Sequence, residues 1–434
     1  MPLKVLIIGA GLCGPAAATL LRRADPENHI TVLERHEGIR HNGLQIDFRA
    51  WGVSIMQRLG LLEDMRKLLV KEEGTSFVDS NNKAHAVFGV VGTGGGQQSF
   101  TSDFEIMRGD LSQLLYEASR KDPKTGVMDG EGKDTKGDGP GVRYRFGTWA
   151  TALTQDENGV DVTLSDGTTD RYDLVIGADG QWSRTRRMIF GEEAGLDAFK
   201  RMGVYVAYFT VPRVPEDDSM ARFYLAGNGI NILSRPVGVP GKTQVYFMVR
   251  TSSEEAKNGI ERKSVEEQKA VFDKLIRGSR WQTERFLKGM HESTDFYGDS
   301  LGQVKAPAII KGRVALLGDA ACCASPITGM GTTASLLTSW MLVGELMRSG
   351  GNVPVALEAY NVNARPYINE LQKFPPIIPR IMTLQSRLAV AVIYFFMSLF
   401  IQLKLDKILV KLIPDDKGGM PLPEYPELNL PEAN

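Results

Sequence analysis

Short uncharged apolar runs alternate with segments of helical periodicity at the start of the chain. Val5-Leu6-Ile7-Ile8 contains no polar residue, as expected of a strand covered on both faces. Residues 14–23 are rich in Ala and Leu and predict a helix, and Ile30-Thr31-Val32-Leu33 predicts a second buried strand. Strand, glycine turn, helix and strand make a parallel βαβ unit, the opening of a doubly wound α/β domain. Further helices are predicted over 53–69 and 110–119. Residues 121–141 mix glycine with charges of both signs and offer no apolar face, which predicts a mobile surface loop. Beyond it, 142–146 and 160–164, with the turn Ser165-Asp166-Gly167, predict a small antiparallel meander feeding a strand over 173–176.

The pattern changes after residue 199. Strands are predicted over 205–211, 221–225, 229–233 and 244–249, consistent with an antiparallel sheet. A helix over 264–276 follows, with Ser264 as N-cap and Glu267 three residues on. Val314-Ala315-Leu316-Leu317 is again a buried-type strand, followed by a glycine-rich turn and a helix over 332–348. The expected organisation is therefore α/β. A discontinuous Rossmann-like domain takes residues 1–75, 101–190 and 301–375, and an antiparallel-sheet domain takes 76–100 and 191–300. A C-terminal helix and tail take 376–434. Residues 388–403 are apolar except for Ser398 and Gln402. This run falls just short of the roughly 17–25 residues of a membrane span. It predicts a helix packed on the body, with peripheral membrane contact as the alternative. The proline-rich stretch 420–426 predicts an extended surface tail. Met1-Pro2-Leu3-Lys4 leads straight into a strand without a signal-peptide pattern, so a cytoplasmic location is expected, with membrane association as its alternative.

Composition narrows the function classes. Lys plus Arg total 51 and Asp plus Glu 52, a net charge of −1 that argues against a nucleic-acid partner. A hydrophobic fraction of 42% excludes wholesale disorder. Three cysteines, Cys13, Cys322 and Cys323, make no disulfide framework, and the adjacent pair reads as small buried residues. Glycine is over-represented, at 46 of 434 residues, against a usual ~7%.

The placement of those glycines carries the chemistry. Gly9-Ala10-Gly11-Leu12-Cys13-Gly14 fits G-x-G-x-x-G where strand meets helix. Gly9 makes the tight turn, Gly11 lets a pyrophosphate approach the backbone, and Gly14 lets the helix pack against the strand. The helix start supplies N–H groups and a positive dipole end. Glu34 lies at the end of the second strand, where a carboxylate accepts ribose hydroxyls and disfavours a 2′-phosphate. FAD or NAD fits better than NADP. No metal-binding spacing and no Gly-x-Ser-x-Gly elbow occurs.

Two later segments extend this signature. One runs Asp173-Leu174-Val175-Ile176-Gly177-Ala178-Asp179-Gly180-Gln181-Trp182-Ser183-Arg184. The other runs Gly318-Asp319-Ala320-Ala321 and on through Pro326 to Gly329-Met330-Gly331-Thr332. With residues 9–14 they resemble the three signature segments of the single-component (class A) FAD-dependent monooxygenases. That family is similar to para-hydroxybenzoate hydroxylase, the tetracycline-inactivating enzymes and natural-product tailoring monooxygenases. The resemblance implies that Gly318 and Asp319 meet the ribityl and pyrophosphate region. It implies a helix start at Pro326, Gly329, Gly331 and Thr332 beside the pyrimidine end of the flavin. Asp179 and Gly180 would serve both FAD and the nicotinamide, Arg108 would reach the flavin side chain, and Glu34-Arg35 would match the pair at the adenosine. Gln45 and Asp47 fall in the segment passing the isoalloxazine. Cys13 lies inside the first fingerprint, and Cys322 stands where many relatives have histidine.

The implied activity is reduction of FAD by NADPH or NADH and capture of O2 as a flavin C4a-hydroperoxide. One oxygen would then pass to an apolar, aromatic or polycyclic small molecule by hydroxylation or epoxidation. An FAD oxidase or oxidative cyclase on the same substrates is the alternative, and a non-catalytic flavin-binding, membrane-associated protein a third reading. Tyr205, Tyr208, Phe209, Phe223, Tyr224, Tyr246, Phe247 and Met248 supply apolar area for a substrate pocket, about half of it facing inward by strand alternation. No side chain is singled out as catalytic.

Overall fold

The protein is described by a computed structural model that covers residues 2–41, 43–89, 104–124, 126, 128, 140–375, 377–403, 405, 419–428 and 430. Two large sheets organise it. The first has six strands in the order Ile310–Lys311, Val314–Leu316, Leu174–Gly177, Lys4–Ile8, His29–Glu34 and Gly141–Phe146. Its strands pair in parallel except for Ile310–Lys311. Val5, Leu6 and Ile7 are completely buried, as an uncharged central strand requires. The helices Cys13–Ala24 and Gly331–Arg348 pack against this sheet and against each other, so the first and last signature segments share one core.

The second sheet has seven strands. Their order is Tyr297–Val304, Phe199–Pro212, Lys242–Arg250, Ile230–Pro236, Met220–Gly227, Gly74–Val78 and Ala84–Gly89. All its pairings are antiparallel except Met220–Gly227 with Gly74–Val78. Both its faces are buried, with different partners. Tyr205, Phe209, Phe247 and Val249 face the helices Glu254–Ile260, Val265–Ile276 and Thr283–Glu292. Val206, Tyr208, Leu233, Tyr246, Met248 and Leu301 face the other way. The cap expected at Ser264 is a full capping box with Glu267.

The structure departs from expectation in four places. The helix predicted over 53–69 is two helices, Trp51–Arg58 and Leu62–Lys67, broken where Gly60 takes φ +62°. The meander is built from Ala150–Gln155, Val160–Leu164 and Thr169–Tyr172, while Gly141–Phe146 joins the parallel sheet beside His29–Glu34. The boundary expected at residue 300 falls within the strand Tyr297–Val304. The tail is not simply superficial, because Tyr425 and Leu428 are buried. Trp51, Tyr367 and Trp340 donate to the carbonyls of Met420, Pro421 and Pro423 and strap the tail down. Most of the loop predicted over 121–141 lies outside the described residues.

The apolar run near the C-terminus forms the helix Arg387–Gln402, which packs on the second sheet through Val390 and Tyr394. Among the described residues no helix is long and apolar enough to cross a membrane.

Candidate cofactor and substrate site

The first fingerprint closes as a turn that only glycine permits. Gly9 takes φ +112°, and a Cβ there would stand 2.5 Å from the Ala178 carbonyl oxygen. At Gly14 a Cβ would come within 1.9 Å of the Gly9 carbonyl oxygen, so helix and strand approach only without a side chain. Glu34 accepts the Ala10 N–H and the His36 N–H, each at 3.0 Å. Its carboxylate is thereby held beside the turn, half-buried, while Arg35 is exposed on the rim.

A cavity of about 330 Å³ opens where this turn meets the other signature segments. Gly11, Cys13, Gln45, Asp47, Arg108, Gly180, Asp319, Pro326, Gly329, Gly331 and Thr332 all line it. Residues far apart in the chain thus converge as the fingerprints require. Gly9, Gly14 and Gly318 sit behind the lining and shape it. Gly318, at φ +52°, donates its N–H to Thr338 Oγ1 at 2.9 Å and leaves no room for a Cβ beside Ser335 and Cys13. The loop carrying Asp47 touches the turn before the last helix, since a Cβ on Gly329 would lie 2.9 Å from Asp47 Oδ2. Gly180 and Gly331 have open space where a side chain would stand.

Asp179 behaves differently from its neighbours. Its carboxylate accepts Ser183 Oγ–H at 2.5 Å, Thr185 N–H at 2.9 Å and Thr185 Oγ1–H at 3.1 Å. It organises the start of the helix Arg184–Phe190, and Gly180 rather than Asp179 faces the cavity. Arg186 completes that support, donating to the carbonyls of Gly195, Ala320 and Gln181 and so tying the second signature segment to the third.

Several polar groups around the cavity lack partners. The guanidinium of Arg108 makes no hydrogen bond or ion pair among the described residues; burial, with Arg40 adding to it, lowers its pKa. Asp319 Oδ1 and Gln45 Oε1 are buried without a hydrogen-bond partner. Burial raises the Asp319 carboxyl above the ordinary range. A half-buried guanidinium without a hydrogen-bond or ion-pair partner, two orphan acceptors and two helix starts are costly unless a ligand completes them. A dinucleotide has the matching chemistry: an anionic pyrophosphate, hydroxyl donors on its sugar and ribityl chains, and ring N–H groups. The residues present fit FAD.

Cys13 is a packing residue here. Its Sγ lies 3.4 Å from the Ser335 carbonyl oxygen and 3.3 Å from Ser339 Oγ, and burial pushes its thiol up to about 12. Cys322 and Cys323 are also buried and free, with burial raising both thiols, which suits small core residues and not a redox pair.

The far wall comes from the second sheet. Tyr208, Leu233, Met248 and Leu301, with Met382 from the segment before the C-terminal helix, make it apolar. Tyr208 and Tyr246 pack edge to face at 4.9 Å between ring centres. Of the residues expected at a pocket, Tyr208, Tyr246 and Met248 reach the cavity, and Phe223 packs on the same face. Tyr205, Phe209, Tyr224 and Phe247 point into the helices behind.

One polar cluster interrupts this wall, and sequence reasoning missed it. Arg235 donates to Glu72 Oε2 at 2.8 Å and Oε1 at 2.9 Å, and also to Glu105. Glu105 in turn accepts from Gln45 Nε2. Burial pushes the Glu105 carboxyl up to about 7, with Arg235 pulling against it. The available signal was Arg235 two positions from Leu233 on one face of a strand, where an unpaired buried arginine would be costly.

Known proteins match this arrangement along the chain. The FAD binding domain family model covers residues 2–374. FAD-dependent monooxygenase asL6 of Sarocladium schorii is 37% identical over 431 residues, 99% of each chain. Flavin-dependent monooxygenase eupH of a Phoma species is 36% identical over 370 residues, 83% of this chain and 80% of its own. Among solved structures, tetracycline destructase Tet(51) superposes with a TM-score of 0.75 at 28% identity, covering 98% of this chain and 100% of its own. Klebsiella pneumoniae HpxO, solved with FAD and uric acid, shares the fold at a TM-score of 0.68 and 19% identity, covering 91% of this chain and 92% of its own. The chain belongs to the FAD-binding-domain family and is an FAD-dependent monooxygenase.

Proposed function

We propose that the protein uses NADPH or NADH together with O2 to insert one oxygen atom into an apolar, aromatic or polycyclic small molecule, by hydroxylation or epoxidation. One observation carries this reading. A single cavity is bounded on one side by three glycine-rich turns and on the other by Tyr208, Leu233, Met248 and Leu301. FAD, when bound, supplies the redox and oxygen chemistry for which no amino-acid side chain is suited.

The chain's own residues bind, orient and exclude water. Arg108 compensates the pyrophosphate charge, and the helix start at Gly11, Cys13 and Gly14 supplies N–H donors to it. Glu34 accepts ribose hydroxyls, with Arg35 beside the adenosine. Asp319 Oδ1, otherwise unpartnered, accepts from the ribityl chain. The helix that starts at Gly331 and Thr332, approached through the turn of Pro326 and Gly329, would aim its N–H groups and positive dipole end at the pyrimidine end of the flavin. Gln45, Asp47 and Gly180, which line the cavity, would hold the ring. Leu233, Met248 and Leu301 hold an apolar substrate and keep water from the reacting face. Arg235, held in place by Glu72 and Glu105, would form the polar end that orients it. The six-stranded sheet with its helices would serve as the FAD-binding unit, and the seven-stranded sheet, which includes Gly74–Val78 and Tyr297–Val304, as the substrate unit.

The test is NADPH and NADH consumption by the yellow, FAD-loaded protein against a panel of phenolic and polycyclic compounds. Consumption should rise with a true substrate, and its product should gain one oxygen atom by mass. Hydrogen peroxide released one-for-one with an oxidised product that has gained no oxygen would overturn the reading in favour of an oxidase.

A further inference from the structure

The helix Arg387–Gln402 is built inside out. Its two polar side chains between Leu388 and Ile401 both point inward. Tyr394 O–H donates to the Val78 carbonyl at 2.8 Å, and its ring stacks on His85 at 4.9 Å. Ser398 donates to the His85 carbonyl at 2.9 Å. The outward row is Leu388, Val392, Phe395, Phe396, Leu399 and Leu403, at the spacing of one helical face. Leu388 is 75% exposed, Phe395 64% and Phe396 60%. A helix lying against a sheet in water normally turns charge outward, yet no Asp, Glu, Lys or Arg occurs from Leu388 to Leu403. So contiguous an apolar row marks an interaction surface.

The charge beside it indicates what covers it. Arg380 and Arg387 stand at the N-terminal end of the row, Lys404 follows it in the sequence, and no Asp or Glu occurs between residues 374 and 405. Two adjoining clefts at the start of the helix add Arg250 and Lys305 to Arg380 and Arg387, again with no carboxylate among their lining residues. A chain of net charge −1 has thus gathered cations beside this apolar row. A second copy would bring the same cationic rim against this one, which is repulsive. An anionic lipid surface complements both features, since it offers acyl chains to the apolar row and negative headgroups to the rim. At 16 residues the helix spans about 24 Å, short of a bilayer core of about 30 Å, so it suits the plane of the interface and not a crossing.

We propose that this helix docks the protein on anionic lipid bilayers, with Leu388, Val392, Phe395, Phe396, Leu399 and Leu403 in the acyl–headgroup boundary and the arginines on the headgroups. Met382, which lines the central cavity, lies five residues before the helix begins. The consequence for substrate rests on the proposed function: an apolar substrate dissolved in lipid reaches a docked enzyme without crossing bulk water.

The experiment is co-sedimentation of the full-length, FAD-loaded protein with phosphatidylcholine vesicles containing about 30 mol % phosphatidylserine, a surface negative enough to recruit basic segments. The wild type should pellet with these vesicles. The double variant Phe395→Ser/Phe396→Ser should lower the partition coefficient at least about tenfold while keeping its flavin spectrum. Arg380→Glu/Arg387→Glu should reduce it and raise its salt sensitivity. Wild type remaining in the supernatant would overturn the proposal, as would equal pelleting of the serine variant or equal binding to pure phosphatidylcholine. A wild-type dimer that the serine variant converts to monomer would assign the face to a second copy. Docking is read without turnover, so its failure leaves the flavin chemistry standing, and a docked but colourless protein would fail only the latter.

Discussion

The parallel sheet and the antiparallel sheet meet at one cavity but contribute to it by different means. The first contributes backbone: turns at Gly9, Gly318 and Gly329, and the starts of two helices. Side chains matter there mostly by being absent, because a Cβ at Gly9 or Gly14 would collide with carbonyl oxygens. The second contributes side chains on one face of its strands, and alternation decides which. Tyr208 and Met248 reach the cavity, whereas Phe209 and Phe247, their immediate neighbours in sequence, are core. A cofactor shared across a family can be read by backbone geometry, whereas a particular substrate has to be read by side chains.

The largest effect should come from filling a turn. Gly14→Val, which forces a Cβ into the Gly9 carbonyl, should destabilise the fold by more than about 4 kcal/mol and yield colourless protein, as thermal melts and the flavin absorbance would report. Acting on the other sheet, Phe209→Ala should cost about 3–5 kcal/mol because the side chain is core. The surviving folded fraction should keep its substrate preference. If that variant instead changed which compounds bind, the division between the two faces of the sheet would fail.

Arg108→Met separates binding from stability. FAD affinity should fall by about 2–4 kcal/mol, read by flavin fluorescence titration. The apoprotein should melt close to wild type, since the half-buried Arg108 guanidinium makes no hydrogen bond or ion pair among the described residues. Apoprotein destabilised by this change would mean that Arg108 is a structural residue.

Glu105 gives a pH test. Its folded pKa, about 7, lies above the ordinary 4.5. The folded state therefore holds a proton that the unfolded state has released. The stability from this group is fully present below about pH 4.5 and is lost as pH rises through 7, at about 1.4 kcal/mol per pH unit within that window. In Glu105→Gln this loss should disappear, so denaturant midpoints of variant and wild type should shift relative to each other between pH 5 and 7. Parallel pH profiles would contradict the raised carboxyl. Leu233→Ala should cost about 2 kcal/mol, the low end for a buried leucine, because the side chain borders an existing cavity. It enlarges the cavity wall and should widen the range of compounds that stimulate nicotinamide oxidation.

The contrast between the sheets also explains what could be read from the chain alone. Residues 9–14, 177–180 and 318–332 declare themselves because a turn around a phosphate or ring constrains local sequence, and they do converge. Glu34 stands at the end of its strand beside the first turn, the position its sequence context indicates. The Arg235, Glu72 and Glu105 cluster was not, since its members lie on three separate segments brought together only by the sheet and its neighbours. Asp179 was legible as a motif residue but not in orientation, which depends on Ser183 and Thr185 nearby. The tail was misjudged because Tyr425 is buried by partners such as Glu345 and Trp340, roughly eighty residues away, which no local pattern contains.

The most direct test of the central claim is a single turnover of the FAD-loaded protein under 18O2, with mass analysis of the organic product. The account predicts one atom of 18O in the product for each nicotinamide consumed in coupled turnover. Oxidised product without 18O, accompanied by an equal amount of labelled hydrogen peroxide, would contradict it.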